Sequence, residues 1–288
     1  MIAGIHTLSR AAGCLLAAAI LGSFPAIAQT PDAPSSNAGS NASSASTPAA
    51  TARSLPHLVL VDLRDVLGAP IDWKAPQWGR FSLAVAGVGA AALLDRRVRD
   101  WESHDHNHRV DQIAQDFEPL GSGGAFAILG TFYLDGVLRN DPKARSVAED
   151  GLIASLIANG ILTPALKYVT GRSRPHDATR TFDFHVFGGK SSFPSGHTTE
   201  AFAVASVIAT EYDSGWIKGV AYGSAVLVGF ARIHHQAHFL SDVTAGAVVG
   251  TAVGRAVAHR NRDERRRLQI APLVGPRNQP GLGVSLSF

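Results

Sequence analysis

A chain of 288 residues has room for one sizeable domain or two small ones. Hydrophobic residues make up 45% of it and charged residues 17%, apolar for a soluble protein and polar for a dense membrane protein. The formal charge of +3 argues against a nucleic-acid partner but leaves room for local basic clusters that bind phosphate.

Residues 1–28 read as an export signal. Arg10 gives a positive start, Cys14–Leu21 a short apolar core, and Ala26-Ile27-Ala28 a small-x-small cleavage pattern. The alternative is an uncleaved anchor, for which the apolar run is short. Cys14 is the one cysteine, so the mature chain would have neither a disulfide nor a thiol nucleophile. That suits an oxidising compartment, the periplasm or cell envelope. Residues 29–54 are almost all Ala, Ser, Thr, Asn, Pro and Gly, and read as a disordered linker.

A folded domain is expected over 55–262. Apolar segments near 78–95, 121–139, 149–169, 197–212, 216–233 and 239–258 read as helices rich in small residues, which allow close helix packing. The expected class is all-α, a bundle of about six core helices. In the tail, 263–288, Leu268–Val274 and Leu282–Phe288 flank a turn-rich stretch and predict a short β-hairpin. Most apolar runs are shorter than the roughly 20 residues of a membrane span, and Asp95, Asp135 and Glu200 interrupt them. If all six helices spanned after a cleaved signal, the loop between the third and fourth would face the cytoplasm. The reading is an exported helical domain that is not fully membrane-spanning, with membrane association left open.

Three stretches place ionisable residues beside helix ends. Lys167-Tyr-Val-Thr-Gly-Arg-Ser-Arg174-Pro175 closes the third helix with three cations, Lys167, Arg172 and Arg174. They form either an ordinary capped end or an anion clamp. Pro194-Ser195-Gly196-His197 opens the fourth helix, either as a routine N-cap or as an anion site with an imidazole that titrates near neutrality. In Arg232-Ile-His-His-Gln-Ala-His238-Phe-Leu-Ser-Asp242, His238 and Asp242 are four apart. On one helix face they would pair, and the carboxylate would set the imidazole tautomer. The bland counterpart is a surface i, i+4 pair.

Together these stretches resemble the type 2 phosphatidic acid phosphatase and vanadium haloperoxidase superfamily, with signature Lys-x6-Arg-Pro, Pro-Ser-Gly-His and Ser-Arg-x5-His-x3-Asp. Lys167, Arg174 and Pro175 match the first motif, Pro194–His197 the second, and Arg232, His238 and Asp242 the third. Ala231 stands where the family has Ser. The surroundings of the third motif look like the lipid phosphatase branch, over roughly residues 78–258.

The resemblance implies a phosphatase acting on a phosphomonoester or pyrophosphate, with a phosphate-bearing lipid or a small molecule as substrate. His238 would attack phosphorus, Asp242 orient it, and His197 exchange protons with the leaving group and water. Lys167, Arg174, Arg232, Ser195 and Gly196 would hold the phosphate oxygens. No cofactor and no metal are expected, since cations fill that role. The alternatives are a soluble periplasmic acid phosphatase, a vanadate-dependent haloperoxidase or a non-enzymatic envelope helix bundle. His104, His106 and His108 form an alternating tract read as a solvated loop rather than a metal site. His234 and His235 are expected beside the pocket, outside the chemistry. Oligomeric state is not written in the sequence.

Overall fold

Helix α7, Gly196–Glu211, is rich in Ala, Val and Thr and is buried on nearly every side. Small side chains let other helices approach it closely, which makes it the axis of the bundle. The computed structural model describes residues 55–102, 108–178, 180–267, 269–274 and 280–285. The expected signal, 1–28, and linker, 29–54, lie outside them.

In chain order the helices before the axis are α1 (Leu55–Gly68), α2 (Ala75–Glu102), α3 (His108–Phe117), α4 (Gly123–Leu138) and α5 (Pro142–Ser155). A π-helical stretch, Leu156–Leu162, runs from α5 into α6 (Thr163–Thr170). After α7 come α8 (Gly215–His234) and α9 (Leu240–Arg267). Strands β1 (Gln269–Val274) and β2 (Pro280–Ser285) then pair antiparallel, with Gln269 opposite Ser285 and Val274 opposite Pro280. The all-α class with a terminal hairpin therefore holds. The six expected segments correspond to α2, α4, the α5–π–α6 rod, α7, α8 and α9. Helices α1 and α3 are additional.

Local chemistry sets the ends. Asp141 caps α5, its side chain accepting from the N–H of Lys143 at 2.8 Å, with Pro142 in the first helical position. Gly171 ends α6 in the left-handed conformation, φ 55°. A Cβ there would lie 1.7 Å from the His185 carbonyl oxygen, so only glycine fits. Gly246, Gly250 and Gly254 line the face of α9 that meets α7. A Cβ at Gly250 would lie 2.3 Å from the Thr199 carbonyl oxygen. Two apolar clusters result: one among α4, α5, α7 and α8 around Phe132 and Val147, the other among α5, α7 and α9 around Ile153 and Val257.

Among the described residues, one helix, Pro142–Thr170, is long and apolar enough to cross a membrane by length and composition, and a third of its apolar window is buried. Many large apolar side chains face outward, among them Trp78, Phe81 and Leu93 of α2 and Phe126, Leu134 and Leu138 of α4.

Candidate active site

Asp242, in the first turn of α9, is fully buried. A carboxylate cannot stay charged there without donors around it. It has them: Ser192 Oγ at 2.6 Å and the Phe239 N–H at 2.9 Å on Oδ2, and Arg172 Nη1 at 2.6 Å on Oδ1. Burial pushes its pKa up, but the facing His238 ring, the Arg172 charge and the Ser192 hydrogen bond together hold it below the usual carboxylate value.

Arg172, whose place in the sequence was open between a capped helix end and an anion clamp, is 1% exposed and turned inward. Nη1 donates to Asp242 and to Ser241 Oγ, and Nη2 donates to Asp95 Oδ2 and the Thr181 carbonyl, at 2.6–2.8 Å. Phe239 covers the guanidinium, with its ring centroid 4.2 Å away. Spacing alone could not show this, because a side chain one residue past the αL glycine turns into the core.

The end of α8 places His238. The Arg232 carbonyl accepts the N–H of both Ala237 and His238, at 3.1 and 3.2 Å, and Gln236 takes φ 51° in the turn. His238 is buried, with Nδ1 3.7 Å from Asp242 Oδ2 and in no hydrogen bond. The ring is thus aimed at its carboxylate across a gap slightly longer than a hydrogen bond, as is common before substrate binds. Burial pushes the His238 pKa down; Asp242 opposes that and Arg232 adds to it.

His197 sits in the first turn of α7. A Cβ at Gly121 would come within 2.7 Å of both its Cβ and its carbonyl oxygen, so glycine there is a packing requirement. Burial, then the Arg232 charge, lowers its pKa to about 4, with Glu118 pulling the other way. Glu118 was not foreseen. It pairs with Arg232, and its other oxygen lies 2.6 Å from His235 Nδ1. A lone Glu beside a proline carries no signal in sequence.

Lys167 lies within electrostatic reach of Arg174, Arg232 and Asp242. Among the described residues, neither Lys167 nor Arg174 is in an ion pair with a carboxylate. Ser195 acts as the α7 N-cap: its Oγ accepts from Thr198 Oγ1 at 2.9 Å, and its N–H donates to the Asp242 carbonyl at 3.0 Å. Gly196 opens the helix, where backbone N–H groups lack intrahelical partners. The structure brings His197, His238, Asp242, Lys167, Arg174, Arg232, Ser195 and Gly196 to one end of the bundle.

Other expected residues fall around them. His234 lies 2.8 Å from Glu102 and 2.7 Å from Asp111, tying α8 to α2 and α3. His104 and His106 lie outside the described residues, and His108 opens α3. Among the described residues, no three His, Cys, Asp or Glu side chains are arranged to hold a metal ion.

Residues 151–266 match the PAP2 superfamily model. Over 118 residues the chain is 36% identical to lipid A 1-phosphatase of Porphyromonas gingivalis, covering 40% of this chain and 24% of that one. Over 161 residues it is 30% identical to lipid phosphate phosphatase 2 of Arabidopsis thaliana, covering 44% and 54%. The matched stretches thus span about a quarter and about half of those relatives. Aquifex aeolicus LpxE overlaps 58% of this chain and 95% of its own at TM-score 0.45, with 25% identity.

Proposed function

From a chain that carries a PAP2 superfamily domain over residues 151–266, we propose a phosphatase that removes phosphate from a lipid phosphomonoester or pyrophosphate through a phosphohistidine. The carrying observation is a cation surplus around a buried imidazole. Lys167 and Arg174 have no carboxylate partner among the described residues, and Arg232 has only Glu118. An anion with several oxygens would complete that balance.

In the first half-reaction, His238 Nε2 attacks phosphorus in line, since Nδ1 faces Asp242. The N–P bond forms as the bond to the leaving oxygen breaks. His197 supplies the proton that oxygen needs. Asp242 offsets the positive charge that grows on the His238 ring. In the second half, His197 takes a proton from water, the water oxygen bonds to phosphorus, and the N–P bond breaks. Lys167, Arg174, Arg232 and the α7 N-terminus hold the phosphoryl oxygens where charge develops. Ser195 contributes through the cap it builds.

The lipid part rests on the surroundings and on the relatives' names. Phe182, Phe184, Val186 and Phe187 are exposed on the α6–α7 connection, beside basic Arg180, His185 and Lys190. Apolar and basic side chains together suit an anionic bilayer surface. Export to the periplasm or cell envelope follows from the residues 1–28 pattern.

Purified protein is expected to release phosphate from at least one of phosphatidic acid, phosphatidylglycerol phosphate, undecaprenyl pyrophosphate and lipid A, and from p-nitrophenyl phosphate. His238→Ala should lose at least about a thousandfold in turnover and form no trappable phosphoenzyme. Unchanged turnover in that variant would sink the assignment. Halide oxidation with vanadate and peroxide, without phosphate release, would favour the haloperoxidase reading.

A further inference from the structure

Glu200 lies one turn beyond His197 on α7 and is 1% exposed. Neither carboxyl oxygen has a hydrogen-bond partner within normal range, and Ser155 Oγ is buried in the same condition. Groups buried in this way call for a partner. The side chains that act on Glu200 are Ser155 and Asn159, and burial raises its pKa, favouring the neutral acid. Nothing in the phosphoryl-transfer scheme uses it.

Asn159 sits in the middle of the π-helical stretch Leu156–Leu162. Such stretches are rare and frequently mark functional sites, because the extra residue re-aims the side chains that follow. The direction of aim here is measurable. A Cβ placed on Gly196 would lie 3.0 Å from Asn159 Oδ1, 3.7 Å from Lys167 Nζ and 3.8 Å from Thr163 Cγ2. The Asn159 carboxamide and the Lys167 ammonium therefore flank the same open space beside Gly196, the residue that opens α7. A helical Lys side chain leans toward its own N-terminus, which brings the ammonium back over Asn159.

We propose that Asn159 is a positioning residue for the phosphate clamp, its carboxamide held by Glu200 and Ser155 so that Oδ1 keeps the Lys167 ammonium against the N-terminus of α7. This rests on Lys167 being a phosphate ligand. The donors and acceptors then balance. The Asn159 Nδ2–H group donates to one oxygen of the neutral Glu200, and the Glu200 hydroxyl donates to Ser155 Oγ. Asn159 Oδ1 is left to accept from Lys167 Nζ. An amide suits this task better than a carboxylate. It fixes the ammonium without cancelling the charge that attracts phosphate, whereas an Asp would cancel it.

The test compares Asn159→Ala, Asn159→Asp, Glu200→Gln and Glu200→Ala in the full chain. It reads inorganic tungstate affinity, Tm and the pH profile of kcat/KM with p-nitrophenyl phosphate. Asn159→Ala should weaken tungstate about tenfold and raise KM more than it lowers kcat. It should also move the basic limb to lower pH, because the ammonium loses an acceptor. Asn159→Asp should weaken tungstate while moving that limb to higher pH. Glu200→Gln should match wild type, as a neutral isostere, and Glu200→Ala should match Asn159→Ala. A lower Tm with unchanged tungstate affinity and an unmoved limb in both alanine variants overturns the proposal. So does a Glu200→Gln chain as impaired as Glu200→Ala. Wild type that binds tungstate yet hydrolyses no phosphate ester would break the phosphatase reading alone, since tungstate still reports on the clamp.

Discussion

Helix α9 ends in an ionic cluster at each terminus, and the two are built on opposite balances. At its C-terminal end Arg260, Asn261 and Arg265 meet Asp62, Asp65, Asp150, Glu211 and Glu264. Acids outnumber bases there, and burial raises the pKa of Asp62, Asp150 and Glu211. Both arginines pair with more than one carboxylate. At its N-terminal end Asp95 and Asp242 are saturated by Arg172, Ser192 and Ser241, and Lys167, Arg174 and Arg232 gather beyond them. The acid-rich cluster is a clasp that closes the bundle on itself. The base-rich one is complete only with an anion from outside. Ionic clusters of similar size thus do different work, and the sign of the surplus distinguishes them.

The contrast breaks most visibly at Arg172. Arg172→Ala leaves Asp95 and Asp242 buried without their cation, which should cost about 3–5 kcal/mol and abolish turnover. Urea unfolding together with a phosphate-release assay measures both. Arg172→Lys should rescue little, because one ammonium cannot replace a fork that bonds four groups.

His197→Asn should slow turnover by about 10²–10⁴-fold while leaving Tm almost unchanged. Its titration gives a signed prediction. The empty site holds the His197 pKa at about 4, so the ring is neutral at pH 7. A bound anion offsets Arg232 and raises that value, so binding takes up a proton. Tungstate affinity should therefore rise as pH falls from 8 toward 5, and His197→Asn should flatten that slope. A slope unchanged in the variant would assign the proton elsewhere.

Smaller effects test the clasp and the Glu118–Arg232 pair. Arg265→Ala should lower stability by about 1–3 kcal/mol with kcat unchanged. The loss should shrink toward pH 5. Asp150, its pKa already raised, is more fully protonated there, and neutral Asp150 needs Arg265 less. Glu118→Gln should tighten tungstate binding by about three- to tenfold, since it removes a carboxylate that competes for Arg232. Titration calorimetry on the variant reads this directly; weaker binding would make Glu118 an organiser of Arg232 instead.

The segments long enough to show helical apolar periodicity were readable from the chain, and α2, α4, α7, α8 and α9 fall close to the residues that pattern marks. Helices α1 and α3 escaped it. The ten residues of α3 are polar overall, and the contacts that hold it, through Asp111 to His234, come from far along the chain. In the site, His238 and Asp242 were legible because an i, i+4 spacing is a local geometric statement. The role of Arg172 stayed open and Glu118 was missed because their partners are 70 and 114 residues away. No spacing rule spans such separations.

Sequence by itself determined the helical class, the terminal hairpin and the residue types able to bind and attack phosphate. Those depend on periodicity and on side-chain chemistry, which are local. Only the tertiary structure decided which cations turn inward to neutralise Asp242 and which remain for an anion. That division depends on burial, because a charge removed from water must find its partner within a few ångströms. Packing of α7 against α9 at Gly246, Gly250 and Gly254 is what brings those partners within range.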